Sequence, residues 1–101
     1  MRIKVLGKLW SLSFTPNLGP GVDGDCSEPD KVGKQIRIRA GLRGQECLET
    51  LIHECLHAAD WHKDESWIEQ VAHDIARAAF RPGVHERIFE QQGTHGRVAG
   101  E

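Results

Sequence analysis

The segment TLIHECLHAADW, residues 50–61, contains an H-E-x-x-H motif in which the histidines are His53 and His57 and the glutamate is Glu54. On an α-helix, residues at positions i and i+4 project from one face, so the two imidazoles can bind the same metal ion. Glu54 points elsewhere on the same turn and is free to act as a base. Neutral imidazole is the usual nitrogen ligand of zinc. The motif therefore predicts a helix that carries one zinc ion.

The residues around the motif predict two amphipathic helices. Apolar side chains recur at steps of three and four over residues 45–60, and a second such pattern covers residues 65–80 before Pro82-Gly83 ends it. The short connection between them indicates an antiparallel helix pair with facing apolar stripes. The residues of these stripes are Leu48, Leu51, Ile52, Cys55, Leu56 and Ala59 in the first helix, and Ile68, Val71, Ala72, Ile75, Ala76, Ala79 and Phe80 in the second.

The residues before the motif helix predict a small sheet. Alternating apolar side chains over residues 2–14 favour a hairpin that turns at Gly7-Lys8. Residues 34–40 are predicted to form a further strand on which Arg37 and Arg39 point outward, as in an edge or a half-exposed strand. The Pro- and Gly-rich segment 15–33 is an acidic loop. The predicted fold class is α+β, with an antiparallel or mixed sheet of about three strands packed on the helix pair.

The predicted domain covers residues 1–92, with a short third helix over residues 84–92, and the polar, Gly-rich residues 93–101 are expected to form a disordered tail. A chain of 101 residues suits a single domain, and a net charge of −2 gives no general attraction to nucleic acid or membranes. The chain has no apolar run of transmembrane length, and its first ten residues lack a signal-peptide pattern. We therefore expect a cytoplasmic protein whose three cysteines are reduced.

A catalytic zinc ion needs a third protein ligand. The metzincin spacing would place a histidine at position 63, which is Lys63, so that subclass is excluded. Glu69 is the preferred candidate, because it lies one turn into the second helix at the border of its apolar face. The other candidates are Glu65, which lies one turn earlier and is the principal alternative, and His62, Asp64 and His73.

Glu69 also has a purely structural interpretation. Ser66-Trp67-Ile68-Glu69 is an S-x-x-E sequence, and in a capping box of this kind the glutamate holds the start of a helix. Asp64 is an equally suitable N-cap two residues earlier. His73 is interpreted either as a hydrogen-bond partner behind the metal ligands or as a surface histidine.

The motif helix and the segment that begins at Glu69 together resemble the gluzincin metallopeptidases. The chain is most similar to the small minigluzincin-like and ImmA/IrrE-type proteins often carried by phages and bacteria, over about residues 34–80. In that family the second helix carries E-x-x-A and then an apolar-Ala pair, as in Glu69, Ala72 and Ile75-Ala76. The resemblance implies a zinc peptidase with ligands His53, His57 and Glu69, a catalytic base Glu54, and a peptide or protein as substrate.

This chain departs from the family pattern in two ways. Only eleven residues separate His57 from Glu69, which is a short interval, and the chain has no tyrosine, a residue that many gluzincins use to stabilise the oxyanion. His62, His73, Arg37 and Arg39 are the remaining candidates for that role. Two alternatives follow: a zinc-binding regulatory or interaction module without peptidase activity, and a metal-free helix-hairpin binding domain.

Overall fold

The computed structural model describes residues 1–90 and contains the predicted succession of strands followed by helices. The α+β class is confirmed, and both long helices begin and end within one residue of their predicted bounds. Residues 91–92 and the predicted tail 93–101 lie outside the described part. The elements are β1 (Arg2–Val5), β2 (Lys8–Thr15), β3 (Gly24–Cys26), β4 (Gln35–Arg39), α1 (Gly44–Ala59), α2 (Glu65–Ala79) and a π-helical segment, Glu86–Glu90, in the region of the predicted third helix.

β1 and β2 form the predicted hairpin, with an antiparallel register that pairs Ile3 with Trp10. The two turn residues are Leu6 (φ 49°) and Gly7 (φ 77°), so the turn lies one residue before the predicted Gly7-Lys8. Positive φ at both central positions is the backbone of a type I′ turn, whose twist suits two adjacent antiparallel strands.

The sheet has four strands rather than three, in the order β1-β2-β4-β3. β4 runs parallel to β2 and antiparallel to β3, so the sheet is mixed. The additional strand, β3, comes from the segment that the sequence predicts as a loop. It covers the side of β4 that faces away from β2, so residues 34–40 do not form an edge strand. Of the two predicted positions, the structure has the half-exposed one, with Arg37 partly buried and Arg39 exposed. The edge strand beside β4 is β3.

The core lies between the sheet and α1. Ile36 and Ile38 of β4 are fully buried, as their alternation predicts, and Trp10 and Leu12 of β2 lie beside them. α1 covers the sheet, because its Leu51, Cys55 and Ala58 pack against this cluster. The buried and partly buried residues of the core cluster are Ile3, Val5, Trp10, Leu12, Cys26, Ile36, Ile38, Leu42, Leu51, Cys55 and Ala58.

α2 packs on α1 and presents its fully buried Ile68, Ala72 and Ala76. These are three of the residues that the apolar stripe predicts to face the partner helix. Small alanines allow the two helix backbones to approach closely. Neither helix, nor any other within residues 1–90, has both the length and the apolar character required to cross a bilayer.

Candidate metal centre

His53 and His57 lie on consecutive turns of α1 and project toward the start of α2. Their side chains are 21% and 20% exposed, so each is mostly enclosed but still partly accessible. Trp61, just beyond the helix, stands edge-on to His57 with 6.3 Å between ring centroids. The packing of α1 thus holds both imidazoles in fixed orientations at the junction of the helices.

Three donor atoms converge at this junction. His53 Nε2 and His57 Nε2 are 3.1 Å apart. The carboxylate of Glu65 places one oxygen 2.8 Å from His57 Nε2 and the other 3.1 Å from His53 Nε2. Ligand atoms about 2.0–2.1 Å from a tetrahedral zinc ion lie about 3.3 Å from one another. The three donors therefore have nearly the mutual spacing that one zinc ion requires.

Hydrogen bonds among these three side chains do not account well for their arrangement. A neutral imidazole carries one N–H, and the carboxylate accepts from both rings only when both Nε2 atoms are protonated. Two N–H groups would then face each other across the 3.1 Å between the Nε2 atoms. A cation that accepts a lone pair from each of the three groups removes that conflict. The donor set, two imidazoles and a carboxylate, is one that catalytic zinc uses.

The register of the antiparallel helix pair brings Glu65 rather than Glu69 to both histidines. Glu65 contacts His57, and eight residues further along α2 His73 contacts Glu49, eight residues before His57 on α1. Halfway between these two contacts, Glu69 falls opposite His53, where it lines a neighbouring cleft. Within residues 1–90, the group of side chains close enough to share one ion is His53, His57 and Glu65. The structure therefore favours the alternative ligand Glu65.

The start of α2 excludes the capping-box interpretation of Glu69. The N-cap is Asp64, whose side chain accepts a hydrogen bond from the backbone N–H of Trp67 at 3.2 Å. Ser66 lies inside the helix and donates to Asp64. These hydrogen bonds stabilise the ionised carboxylate and lower the pKa of Asp64. Asp64 thus ends the connection from α1 and fixes Glu65 as the first residue of the helix.

Glu54 lies beside the metal-ligand group but does not belong to it. It is the buried charged residue of the described chain, 7% exposed, and no described side chain gives it a hydrogen bond or ion pair. Burial, together with the nearby charges of Asp25 and Glu65, raises its pKa to about 7. A cation at the three ligands would favour the ionised carboxylate instead. With a cation bound, Glu54 would thus be an ionised carboxylate placed to accept a proton.

A cleft of about 390 Å³ opens beside His53 and Glu54. One wall is the segment 21–24 that leads into β3, and the other walls are α1 and α2. A volume of this size lies at the lower end of the range of small-ligand pockets, about 300–1,000 Å³. The lining residues are Gly21, Val22, Asp23, Gly24, Glu49, Thr50, His53, Glu54 and Glu69.

Three of the other predicted site residues, Arg37, Arg39 and His73, have partners within the chain. Arg37 and Arg39 form ion pairs with Asp25 and Asp23, the latter pair 2.7 Å apart, so these arginines tie β4 to β3 and the segment before it. His73 lies 3.2 Å from Glu49 rather than behind the ligands, and His62 is exposed.

The cysteines are free thiols, as predicted. Burial, with a smaller contribution from the negative charge of Glu54, raises the pKa of Cys26 to about 12 and also raises the pKa of Cys55. A thiol must ionise to bind zinc. These two cysteines are therefore poor metal ligands, and Cys55 fills the core as its place on the apolar stripe predicts.

Comparison with protein-family models, with curated proteins and with solved structures finds no match to this chain. The chemistry of the centre is accordingly inferred from its own geometry. Two imidazoles and a carboxylate converge on one point, and the cleft beside them is lined by one of the imidazoles, His53, and by the buried carboxyl group of Glu54.

Proposed function

We propose that this protein is a zinc-dependent metallopeptidase. The observation that carries the proposal is the convergence of His53 Nε2, His57 Nε2 and the Glu65 carboxylate, with 2.8–3.1 Å between the atoms, beside the buried Glu54. Three protein ligands with an open direction are typical of catalytic zinc, whereas structural zinc sites are usually closed by four. Membership of the gluzincin family remains a prediction from the motif.

The residues of the centre have distinct roles in peptide hydrolysis. His53, His57 and Glu65 would hold the ion, which when bound activates a water molecule and polarises the scissile carbonyl group. Glu54 accepts the proton of the attacking water and donates it to the amine of the leaving fragment. Its burial restricts the water that reaches it from bulk solvent, and its own backbone position next to His53 fixes it beside the ion.

A peptide would lie along β3. It has no free edge to pair with at residues 34–40, because β3 and β2 occupy both sides of β4. The backbone oxygen of Asp23 accepts a hydrogen bond from the N–H of Arg39, and the N–H of Ser27 donates one to the backbone oxygen of Gln35. Because successive residues of a strand point their N–H and C=O groups to opposite sides, those of Gly24 and Cys26 point away from β4. An extended peptide can add to this edge by main-chain hydrogen bonds. Gly24 lines the cleft, so the added strand would pass beside Glu54.

The second candidate function is a zinc-binding regulatory or interaction module. One observation favours it: the cleft beside the ligands is lined by no tyrosine, lysine or arginine of residues 1–90, so no such side chain is placed to stabilise an oxyanion. Arg37 and Arg39, two candidates for that role, are engaged by Asp25 and Asp23. Such a module would keep the zinc and bind its partner through the same cleft.

Metal analysis and one substitution test the proposal. The purified protein reconstituted with zinc should contain one ion per chain by native mass spectrometry, and His53→Ala should contain none. Glu54→Gln preserves the shape of the side chain but not its basicity, so it should keep the zinc and lose cleavage of a broad peptide library by about 10²–10⁴-fold.

Three outcomes would decide between the candidates. Equal cleavage by the parent and Glu54→Gln, at matched zinc content, would remove Glu54 as the base. Zinc binding without cleavage by the parent would favour the regulatory module. A parent chain that binds no zinc would eliminate both and leave the metal-free binding domain.

A cytoplasmic location is part of the same proposal. Cys26, Cys47 and Cys55 are all unpaired thiols, which is the usual state of cysteine in a reducing compartment. Recovery of the native protein with a disulfide would contradict it.

A further inference from the structure

The cleft beside the metal centre has a marked imbalance of charge. Four of its lining residues, Asp23, Glu49, Glu54 and Glu69, carry carboxyl groups, and no lysine or arginine of the described chain lines it. Two of the four have a partner outside the cleft: Asp23 forms an ion pair with Arg39 at 2.7 Å, and Glu49 Oε1 lies 3.2 Å from His73 Nδ1. The other two, Glu54 and Glu69, have no such partner among residues 1–90.

Glu54 gives independent evidence that the cleft receives a ligand. It is more than nine-tenths buried, it lines the cleft, and it has no hydrogen-bond partner within the described chain. Buried polar groups in folded proteins normally have a partner, and the space open to this carboxylate is the cleft, so its partner is supplied by whatever occupies the cleft, water or a bound molecule. The walls of the cleft determine which molecule fits.

Glu69 neither caps α2 nor reaches the two histidines. Asp64 caps the helix in its place, and Glu65 is the carboxylate that reaches the histidines. Its own side chain is exposed on the wall of the cleft opposite His53 and forms no ion pair. An unpaired carboxylate at this point, with Glu49 also on the wall, attracts a cation that enters the cleft.

We propose that the cleft selects peptides with a lysine or arginine side chain near the bond placed at the metal centre, and that Glu69 is the principal partner of that side chain. This inference rests on the proposed function for the location of the peptide. A chain added along β3 passes the cleft at Gly24, from which a long basic side chain reaches the wall formed by Glu49 and Glu69. The cleft volume of about 390 Å³ accommodates such a side chain.

The test measures binding and cleavage separately. A set of extended peptides carries one lysine at successive positions, and each has a partner in which that lysine is N-acetylated and thus uncharged. Binding is measured by calorimetry on the zinc-loaded Glu54→Gln protein, which cannot consume the peptide, and cleavage is measured on the zinc-loaded parent. We expect the best lysine peptide to bind three- to tenfold more tightly than its acetylated partner at low salt, the range of an exposed to partly enclosed ion pair.

Substitutions in the same Glu54→Gln background assign the preference to Glu69. Glu69→Gln should reduce it to less than twofold, and Glu69→Lys should reverse it toward a peptide with glutamate at that position. The matched control is Glu46→Gln, which removes the same charge from an exposed position of α1 outside the cleft and should leave the preference unchanged.

Each result bears on one proposal. A lysine preference that survives Glu69→Gln, or no preference in binding, would overturn the inference, as would loss of zinc from Glu69→Gln, since Glu69 would then be a ligand. Cleavage of all peptides without a lysine preference would overturn it and leave the peptidase proposal intact. A Glu69-dependent preference in binding without any cleavage would support the inference and overturn the peptidase proposal.

Discussion

Gly24 and Glu54 are in contact where the edge strand meets the helix that carries the metal ligands, and the contact exists because Gly24 has no side chain. A Cβ atom at position 24 would lie 3.1 Å from Glu54 Cγ and only 2.8 Å from Thr50 Cγ2. It would also lie 3.1 Å from the carbonyl oxygen of Arg37. Glycine thus determines how closely α1 approaches β3, and with it the position of the carboxyl group beside the metal centre.

Gly24→Ala should therefore destabilise the protein and lower its activity. The added methyl group forces α1 or β3 to move by a few tenths of an ångström, and overpacking of this kind typically costs about 1–3 kcal/mol. Urea unfolding measures the loss of stability, and cleavage at matched zinc content measures the displacement of Glu54.

Thr50→Ser provides the control for Gly24→Ala. It removes the methyl group, Thr50 Cγ2, that lies nearest to the new side chain. The double variant should recover part of the lost stability, so a double-mutant cycle should give a favourable coupling of about 0.5–1 kcal/mol. Strictly additive effects would show that Gly24→Ala acts by some route other than this contact.

The sequence predicts α1 and α2 well because each carries an apolar stripe at helical spacing over four turns, which is a strong signal. It does not predict β3, whose three residues Gly24–Cys26 have neither alternation nor strand-forming composition. β3 forms because β4 supplies a partner, and the Asp25–Arg37 pair joins the two strands. Such long-range partners are not visible in a local pattern.

The same difference between local patterns and long-range contacts explains why the sequence did not identify the third metal ligand. Helical periodicity shows that Glu65 and Glu69 lie on one side of α2, but it does not determine which of them meets the histidines. That depends on where the five-residue connection starts the helix relative to α1, and one turn displaces a side chain by about 6 Å along the axis. Asp64, as the N-cap, sets that start. The two histidines and Glu54 need no such information, because a single helix positions all three.

The assignment of Glu65 as the third ligand predicts that only one of two neighbouring glutamates is needed for zinc binding. Glu65→Ala should lower zinc affinity by at least an order of magnitude, because it removes a carboxylate 2.8 Å from His57 Nε2 and 3.1 Å from His53 Nε2. Glu69→Ala should retain the zinc. Competition with a chelator of known affinity measures both. If Glu69→Ala loses the ion and Glu65→Ala keeps it, the original assignment from the sequence is the correct one.

Asp64 is predicted to support the site through the start of α2. Asp64→Ala removes the acceptor for the Trp67 N–H and should cost about 1 kcal/mol of unfolding free energy. Because the first turn of α2 carries Glu65, zinc affinity should fall as well, whereas Asp64→Asn, which still caps, should behave nearly as the parent. Equal stability of Asp64→Ala and the parent would show that another residue caps the helix.

The last prediction concerns pH and the metal-free protein, in which no cation compensates Glu54. Burial raises the pKa of Glu54 from 4.5 to about 7, so folding favours its neutral form. The stability that this neutral form contributes is complete below pH 4.5 and is lost as the pH rises to about 7. Glu54→Gln stays neutral, so in the presence of a chelator it should exceed the parent in stability at pH 8, by on the order of 2 kcal/mol, and should differ little from it at pH 5. Both proteins share every other titrating group, including His53 and His57, so the difference between their unfolding free energies isolates Glu54. With zinc bound, the advantage of the variant should shrink, because the ion favours the ionised carboxylate of the parent. An advantage of Glu54→Gln that is the same at pH 5 and pH 8 would show that the carboxyl group titrates at its ordinary pKa in the folded chain.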